Sequence, residues 1–447
     1  MYIKLIQPKM RKRPMDTDIK LHMAPPLGLL TIASLLRHEH KVVLENENIQ
    51  PINYEDKPEI VGISVTVDTL PKAIAIAKRF REKGSIVVAG GIHITTATEL
   101  IPDNCFDALS VGAAEGTWPH IIEDYQQGCL KYIYRCEKKL TGSDIISPAY
   151  DFVKKNEYLY CNVVHTSRGC PFRCDFCYNS TKEHQYINRE ISDVIADIQM
   201  TGSKHIMFID DNFAGNPQWT REFLEAIKPL RLKWNAAVSI NAAYDSELLD
   251  LMKASGCQSL FIGFESINPH SIQDVHKLQN HTDNYEKAIR EIHKRGIMIN
   301  ASFVFGLDGD TRETFRTTLD WIVRNKIETV TSHILTPYPG TALYDRMKQE
   351  GRIVSDDLSL YNTAHVVYRP LNMSAEELYA GYIRIYKDIY SLKNIFRRLP
   401  DCKEQWASYL LFNLMYRKYG KFTDGLCKLI TYERIGWLAE KWVRYIS

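Results

Sequence analysis

The stretch Tyr160-Cys161-Asn162-Val163-Val164-His165-Thr166-Ser167-Arg168-Gly169-Cys170-Pro171-Phe172-Arg173-Cys174-Asp175-Phe176-Cys177-Tyr178-Asn179 begins as an apolar, β-branched run and ends in three crowded cysteines. The run predicts a buried strand, and the spacing C-x3-C-x2-C puts three thiols on the loop that follows it. Three thiolates so placed can ligate three irons of a cubane cluster and leave the fourth iron open to an outside ligand. Zinc would require a fourth donor; Cys161 and His165 are the nearest, and both fall within the expected strand.

Downstream, strands are expected over residues 161–165, 205–209, 234–240, 259–264, 300–305 and 331–335, with helices such as 221–230 and 312–324 between them. Six successive βα units predict a barrel or partial barrel whose chemistry sits on loops at the C-terminal strand ends. Upstream, residues 3–6, 41–44, 59–65, 85–89 and 108–111 read as strands and 27–36 and 72–83 as helices. This alternation predicts an α/β, doubly wound, Rossmann-like domain that binds ligands beyond the carboxyl ends of its strands. The expected division is 1–130 for this domain, 131–159 for a linker, 160–360 for the barrel and 361–447 for a helical C-terminal domain. Ser374 and Glu377 have capping-box spacing.

The composition of the 447 residues, 45% hydrophobic and 25% charged, argues against disorder and against a polytopic membrane protein. Ten cysteines are sparse over this length, and the start Met1-Tyr2-Ile3-Lys4 lacks the apolar core of a signal peptide, so a cytoplasmic chain is expected. The net charge of +2 is uneven: from Val366 onward there are 14 Lys and Arg against 8 Asp and Glu. The main body carries no basic nucleic-acid footprint, and no RNA-binding module follows the barrel. The basic, aromatic tail, including Arg397-Arg398, Tyr416-Arg417-Lys418-Tyr419 and Trp437 to Trp442, reads as helical packing that caps the barrel or as a contact with a membrane surface.

The cysteine loop and the motifs after successive strands resemble the radical S-adenosylmethionine (radical SAM) superfamily. The supporting motifs are Phe208-Ile209-Asp210-Asp211-Asn212-Phe213, Gly263-Phe264-Glu265-Ser266, Phe305-Gly306-Leu307-Asp308-Gly309-Asp310-Thr311 and Thr336-Pro337-Tyr338-Pro339-Gly340-Thr341. The resemblance implies a [4Fe-4S] cluster on Cys170, Cys174 and Cys177, with SAM on the open iron cleaved to a 5'-deoxyadenosyl radical. It further implies that Asp210 and Asp211 lie near the SAM amino group, Ser239, Asn241 and Glu265 near the ribose and carboxylate, and Phe176, Tyr178 and Gly306 near adenine. Each has a plainer reading as a helix cap, an ion pair or a tight turn. Ser239 stands where many relatives place an arginine.

The first domain resembles the cobalamin-binding domain of the B12-dependent branch, through Pro25-Pro26-Leu27-Gly28-Leu29, Gly62-Ile63-Ser64-Val65-Thr66, Val88-Ala89-Gly90-Gly91-Ile92-His93 and Gly112-Ala113-Ala114-Glu115-Gly116. The implied cobalamin-binding set is Ser64, Thr66, Thr69, Gly90, Gly91, His93, Gly112, Glu115 and Gly116. The motif D-x-H-x-x-G is absent between Gln7 and Pro25, which predicts cobalt without a protein histidine below it; His22 reads as an ordinary loop residue.

The expected activity is methylation of an unactivated carbon of a small-molecule or lipid substrate, with flavodoxin or ferredoxin as electron donor and no nucleic acid. The alternatives are a non-methylating radical oxidation, dehydration or cyclisation, with a first domain that does not bind cobalamin, and a non-catalytic metal-binding scaffold. The sequence assigns no catalytic acid or base.

Overall fold

The computed structural model describes residues 1–16, 18–181 and 185–416; the tail motifs from Arg417 onward lie outside the described residues. The first sheet contains β1 (Tyr2–Gln7), β2 (Lys41–Asn46), β3 (Ile60–Ser64), β4 (Ile86–Gly90), β5 (Ala108–Val111) and β6 (Ile133–Arg135). All neighbours are parallel, in the order β2-β1-β3-β4-β5-β6. Alternate residues serve opposite faces, as the pleat requires. Val61, Val87 and Leu109 enter one core, and Ile60, Val88 and Ala108 enter the other. Helices cover both faces, giving the doubly wound architecture expected. The order reverses between β1 and β3, where such sheets open a ligand crevice at their carboxyl ends. β6 arises within the stretch read as a connection and adds an edge strand on which Tyr134 alone is buried.

The second sheet is also wholly parallel and runs in chain order. Its strands are β7 (Val163–Val164), β10 (His205–Phe208), β11 (Lys233–Val238), β12 (Cys257–Glu265), β13 (Met298–Phe305) and β14 (Thr329–Ile334), and between β7 and β10 the short strands β8 (Ser167–Arg168) and β9 (Ile187–Asn188) pair antiparallel. All six expected strands occur, as an open sheet rather than a barrel whose closure is visible. β7 is shorter than expected because the Arg189 guanidinium takes the His165 carbonyl as acceptor at 3.0 Å, drawing it from the ladder.

The two sheets meet through the helix Leu27–Leu36, whose Leu27 and Leu30 pack on Tyr150 and Val163. Beyond the second sheet, the helix Ala375–Ile389 opens with the expected Ser374–Glu377 capping box. The buried Arg398 ties the following helices to the sheet by donating to the carbonyls of Ile327 and Ile389. Among the described residues no helix is long and apolar enough to cross a membrane.

Candidate functional site

The β8–β9 pair closes the base of a loop that carries all three cysteines. Cys174 is buried and Cys170 and Cys177 are half-buried. Burial pushes all three thiols up, Cys177 to about 12, and Cys170 and Cys177 also feel the charge of a neighbouring thiol. Such a set ionises when a cationic centre compensates it, as an iron–sulfur cluster does. Among the described residues no three His, Cys, Asp or Glu side chains converge on one ion position. Three thiols on one short loop supply ligands for three corners of a cubane and leave its fourth iron open, so the donor set fits such a cluster.

Two residues missed in the sequence stand beside these thiols. Gln279 Nε2 donates to Cys174 Sγ at 3.5 Å. Lys277 Nζ lies 2.5 Å from Glu265 Oε1 in a buried ion pair. Burial works against the Lys277 charge, but Glu265 and Cys174 outweigh it and hold the ammonium above its ordinary value. The backbone is shaped to make this pair. Register slips between Gly263 and Glu265, and Glu265 adopts φ +60°, a strained conformation for a non-glycine residue. A Cβ on Gly263 would lie 2.4 Å from Glu265 Oε1 and 2.7 Å from Lys277 Nζ, so a side chain there would displace the ion pair. Phe176 lies under the same ammonium, 6.0 Å from ring centre to Nζ.

At the end of β10, Asp210 is buried. Its Oδ1 accepts four hydrogen bonds, from the Thr166 and Ser167 amides and hydroxyls, while Oδ2 has none. Burial raises this carboxyl to about 6. Asp211 beside it is exposed. Ser239 has a buried, unpartnered hydroxyl and its amide donates to Asn212; Asn241 is half-buried in the turn that follows. Gly306, at φ +94°, has its carbonyl capped by the Tyr368 hydroxyl, and Asp310 accepts from its amide at 2.9 Å.

A cavity of about 900 Å³ lies where the carboxyl edge of the first sheet faces these loops. Ser64, Gly90, Gly91, Gly112 and Glu115 line it from one side, and His165, Gln185, Asp210 and Asp211 from the other. Glu115 is also the clasp between the domains, accepting two hydrogen bonds from Arg168 at 2.9 and 2.7 Å. Gly91 has φ +108°, and a Cβ there would lie 2.8 Å from the Val65 carbonyl oxygen. Gly116 instead packs on Cys136.

A second cavity of about 270 Å³ adjoins the first at Ile92. It is lined by Arg13, Thr66, Asp68, His93, Tyr178 and Tyr338, among others. Burial lowers His93 to about 4, and its Nε2 has no partner. Thr69 reaches neither cavity: its buried hydroxyl accepts from the Thr66 amide and forms a capping box. His22 rests on the Glu157 carbonyl, 3.0 Å away.

A cysteine loop of this kind after the first strand of a parallel sheet, with polar groups at successive strand ends, has the layout of a radical SAM domain. Residues 164–322 match the family model described as the radical SAM superfamily, so the chain carries a radical SAM domain and is an enzyme. Residues 341–417 match a domain of unknown function, DUF4070. The chain is 29% identical over 432 residues to bacteriochlorophyllide d C-12(1)-methyltransferase of Chlorobaculum tepidum, covering 94% of this chain and 93% of that one. It is 27% identical to the hopanoid C-2 methylase of Rhodopseudomonas palustris, covering 77% and 68%. In architecture it is similar to OxsB, a cobalamin-dependent S-adenosylmethionine radical enzyme solved with aqua-cobalamin and SAM (TM-score 0.68, 16% identity, 99% of this chain and 80% of that one). It is also similar to the radical SAM methyltransferase TsrM from Kitasatospora setae, solved with cobalamin and a [4Fe-4S] cluster (TM-score 0.61, 16% identity, 78% of each chain).

Proposed function

We propose that this enzyme is a cobalamin-dependent radical SAM methyltransferase that methylates an unactivated carbon of a small-molecule or lipid substrate in the cytoplasm. The supporting observation is the cavity of about 900 Å³, which joins the carboxyl edge of the doubly wound domain to the strand ends around the cysteine loop. Its first-domain wall suits a bulky planar ligand. Gly28 lines it, and a Cβ there would meet nothing within 4 Å, so the cradle is open at that point. The relative named as bacteriochlorophyllide d C-12(1)-methyltransferase spans nearly the whole chain and supports the same reading.

When bound, the cluster with SAM supplies a 5'-deoxyadenosyl radical and cobalamin supplies the methyl group. Cys170, Cys174 and Cys177 hold the cluster, and Lys277 offsets the negative charge gathered at Cys174. Glu265 is held by Lys277, so it orients neighbouring groups and does not serve as a mobile base. Asp210 fixes the Thr166–Ser167 turn with one oxygen and offers the other to a ligand N–H. The smaller cavity, between Tyr178 and His93, takes the reacting end of the substrate. His93 is neutral there and contributes a hydrogen bond without a charge. A flavodoxin or ferredoxin delivers the electron.

Anaerobically purified protein should contain about four iron and four sulfide per chain, together with corrinoid. Turnover should yield 5'-deoxyadenosine, S-adenosylhomocysteine and a methylated product. Deoxyadenosine alone would remove methylation and leave a radical oxidation or cyclisation; a Cys174→Ala chain that still cleaved SAM would sink the cluster assignment.

A further inference from the structure

Unsatisfied polar atoms are gathered on one wall of the larger cavity. His165 Nε2, Gln185 Oε1 and Asp210 Oδ2 are buried without a hydrogen-bond partner, and all three residues line it. They belong to the second domain; the facing wall is contributed by backbone of Gly28, Gly62, Gly90 and Gly112. His165 follows β7 directly, two residues after Val163, which packs on Leu27 and Leu30 of the first domain, and it lines the cavity together with Leu27. A buried polar atom left unpaired costs stability, and three on one wall mark a surface that a ligand completes.

The chemistry of the three groups narrows that ligand. Burial, with the charges of Arg189 and Arg168, holds His165 well below the ordinary histidine value, so the imidazole is neutral. A neutral imidazole has one N–H and one acceptor nitrogen, and a carboxamide of glutamine has both kinds of group. A primary carboxamide on the ligand satisfies either histidine tautomer and pairs reciprocally with Gln185. A ligand carboxylate would instead face the Asp210 oxygen. Corrin rings carry primary carboxamides around their rim; in SAM the group with a comparable donor–acceptor edge is adenine, which by resemblance lies by Phe176, Tyr178 and Gly306, none of them in this lining, while the SAM ammonium by resemblance faces Asp210.

We propose that His165 and Gln185 bind rim carboxamides of the corrin, completing the cobalamin site from the radical SAM domain. This rests on the cobalamin reading above. The test titrates the full-length, anaerobically reconstituted chain with aquacobalamin and reads bound corrinoid by absorbance after equilibrium dialysis. His165→Leu and Gln185→Leu should each weaken binding by roughly 3- to 10-fold, with iron content and SAM affinity unchanged. His165→Gln, which restores a carboxamide, should recover part of the loss. Wild-type protein should also bind more weakly a cobalamin in which one rim amide has been hydrolysed to a carboxylate. Variants that bind aquacobalamin like wild type, or that lose SAM and keep cobalamin, would overturn the assignment. Wild-type protein that binds no aquacobalamin would instead overturn the cobalamin reading itself, and this proposal with it.

Discussion

Arg168 grips Glu115 through two hydrogen bonds, and in doing so ties the cysteine loop of one domain to the first turn of the helix Ala114–Gln126 in the other. The Glu115 side chain is 5% exposed and that of Arg168 30%. Glu115→Ala removes two charge-assisted bonds and should cost about 2 kcal/mol, read by urea denaturation. Cobalamin retention should fall with it, because the clasp forms part of the cavity wall. Unchanged stability and retention would reduce the pair to an incidental contact.

The Lys277–Glu265 pair predicts a sharper effect. Lys277→Met leaves a buried carboxylate at a backbone position already held at φ +60°. Breaking one side of a buried pair costs about 3–5 kcal/mol. The variant should also hold less iron after anaerobic reconstitution, since Cys174 loses its nearby cation. A chain that unfolds early but still loads its full iron content would confine Lys277 to a structural role.

Asp310 makes stability depend on pH. Burial pushes its carboxyl up from 3.8 to about 7, against hydrogen bonds from the Gly306 and Leu307 amides that favour the charged form. The folded chain thus binds this proton more tightly than the unfolded chain. Asp310 therefore withdraws stability as pH rises from about 4 to about 7, after which the loss is complete. Asp310→Asn keeps an acceptor for both amides and carries no titrating proton. Its stability relative to wild type should rise across that window, and a constant difference between the two denaturation series would refute the assignment.

Gly91 is constrained by its backbone angle and by its contact with Val65. Gly91→Ala places a methyl group against the Val65 backbone at φ +108° and should cost more than about 1 kcal/mol. Thermal denaturation of the variant, with Gly28→Ala as a control that meets no atom, separates this strain from a general intolerance of added volume.

The βα alternation made the architecture legible, because buried parallel strands are short apolar runs and the helices between them keep their own period. The helix Leu27–Leu36 and the strand Ala108–Val111 fall at the expected residues. The edge strand Ile133–Arg135 was missed because its exposed–buried–exposed pattern buries one residue and resembles a loop. The cysteine loop could be read locally, since its three cysteines lie close together in the chain. Lys277 and Gln279 could not: they reach Cys174 from about a hundred residues away and sit in a stretch with no periodic signal. The unpartnered faces of His165 and Gln185 are properties of two domains brought together, which no single segment encodes.

The smaller cavity draws most of its walls from stretches scattered along the chain: Met10 to Asp16 with Lys20 and Leu21, the turn after β3, the segment after β4, and Tyr361 to Thr363, with Tyr178, Tyr338 and Pro339 completing it. Most of these are connections, whose exchange leaves both sheets and the cysteine loop intact. With the substrate seated there as proposed, the scaffold separates the evolution of what is modified from the evolution of how. A lineage can acquire a new product by altering peripheral loops while the radical-generating apparatus passes on unaltered.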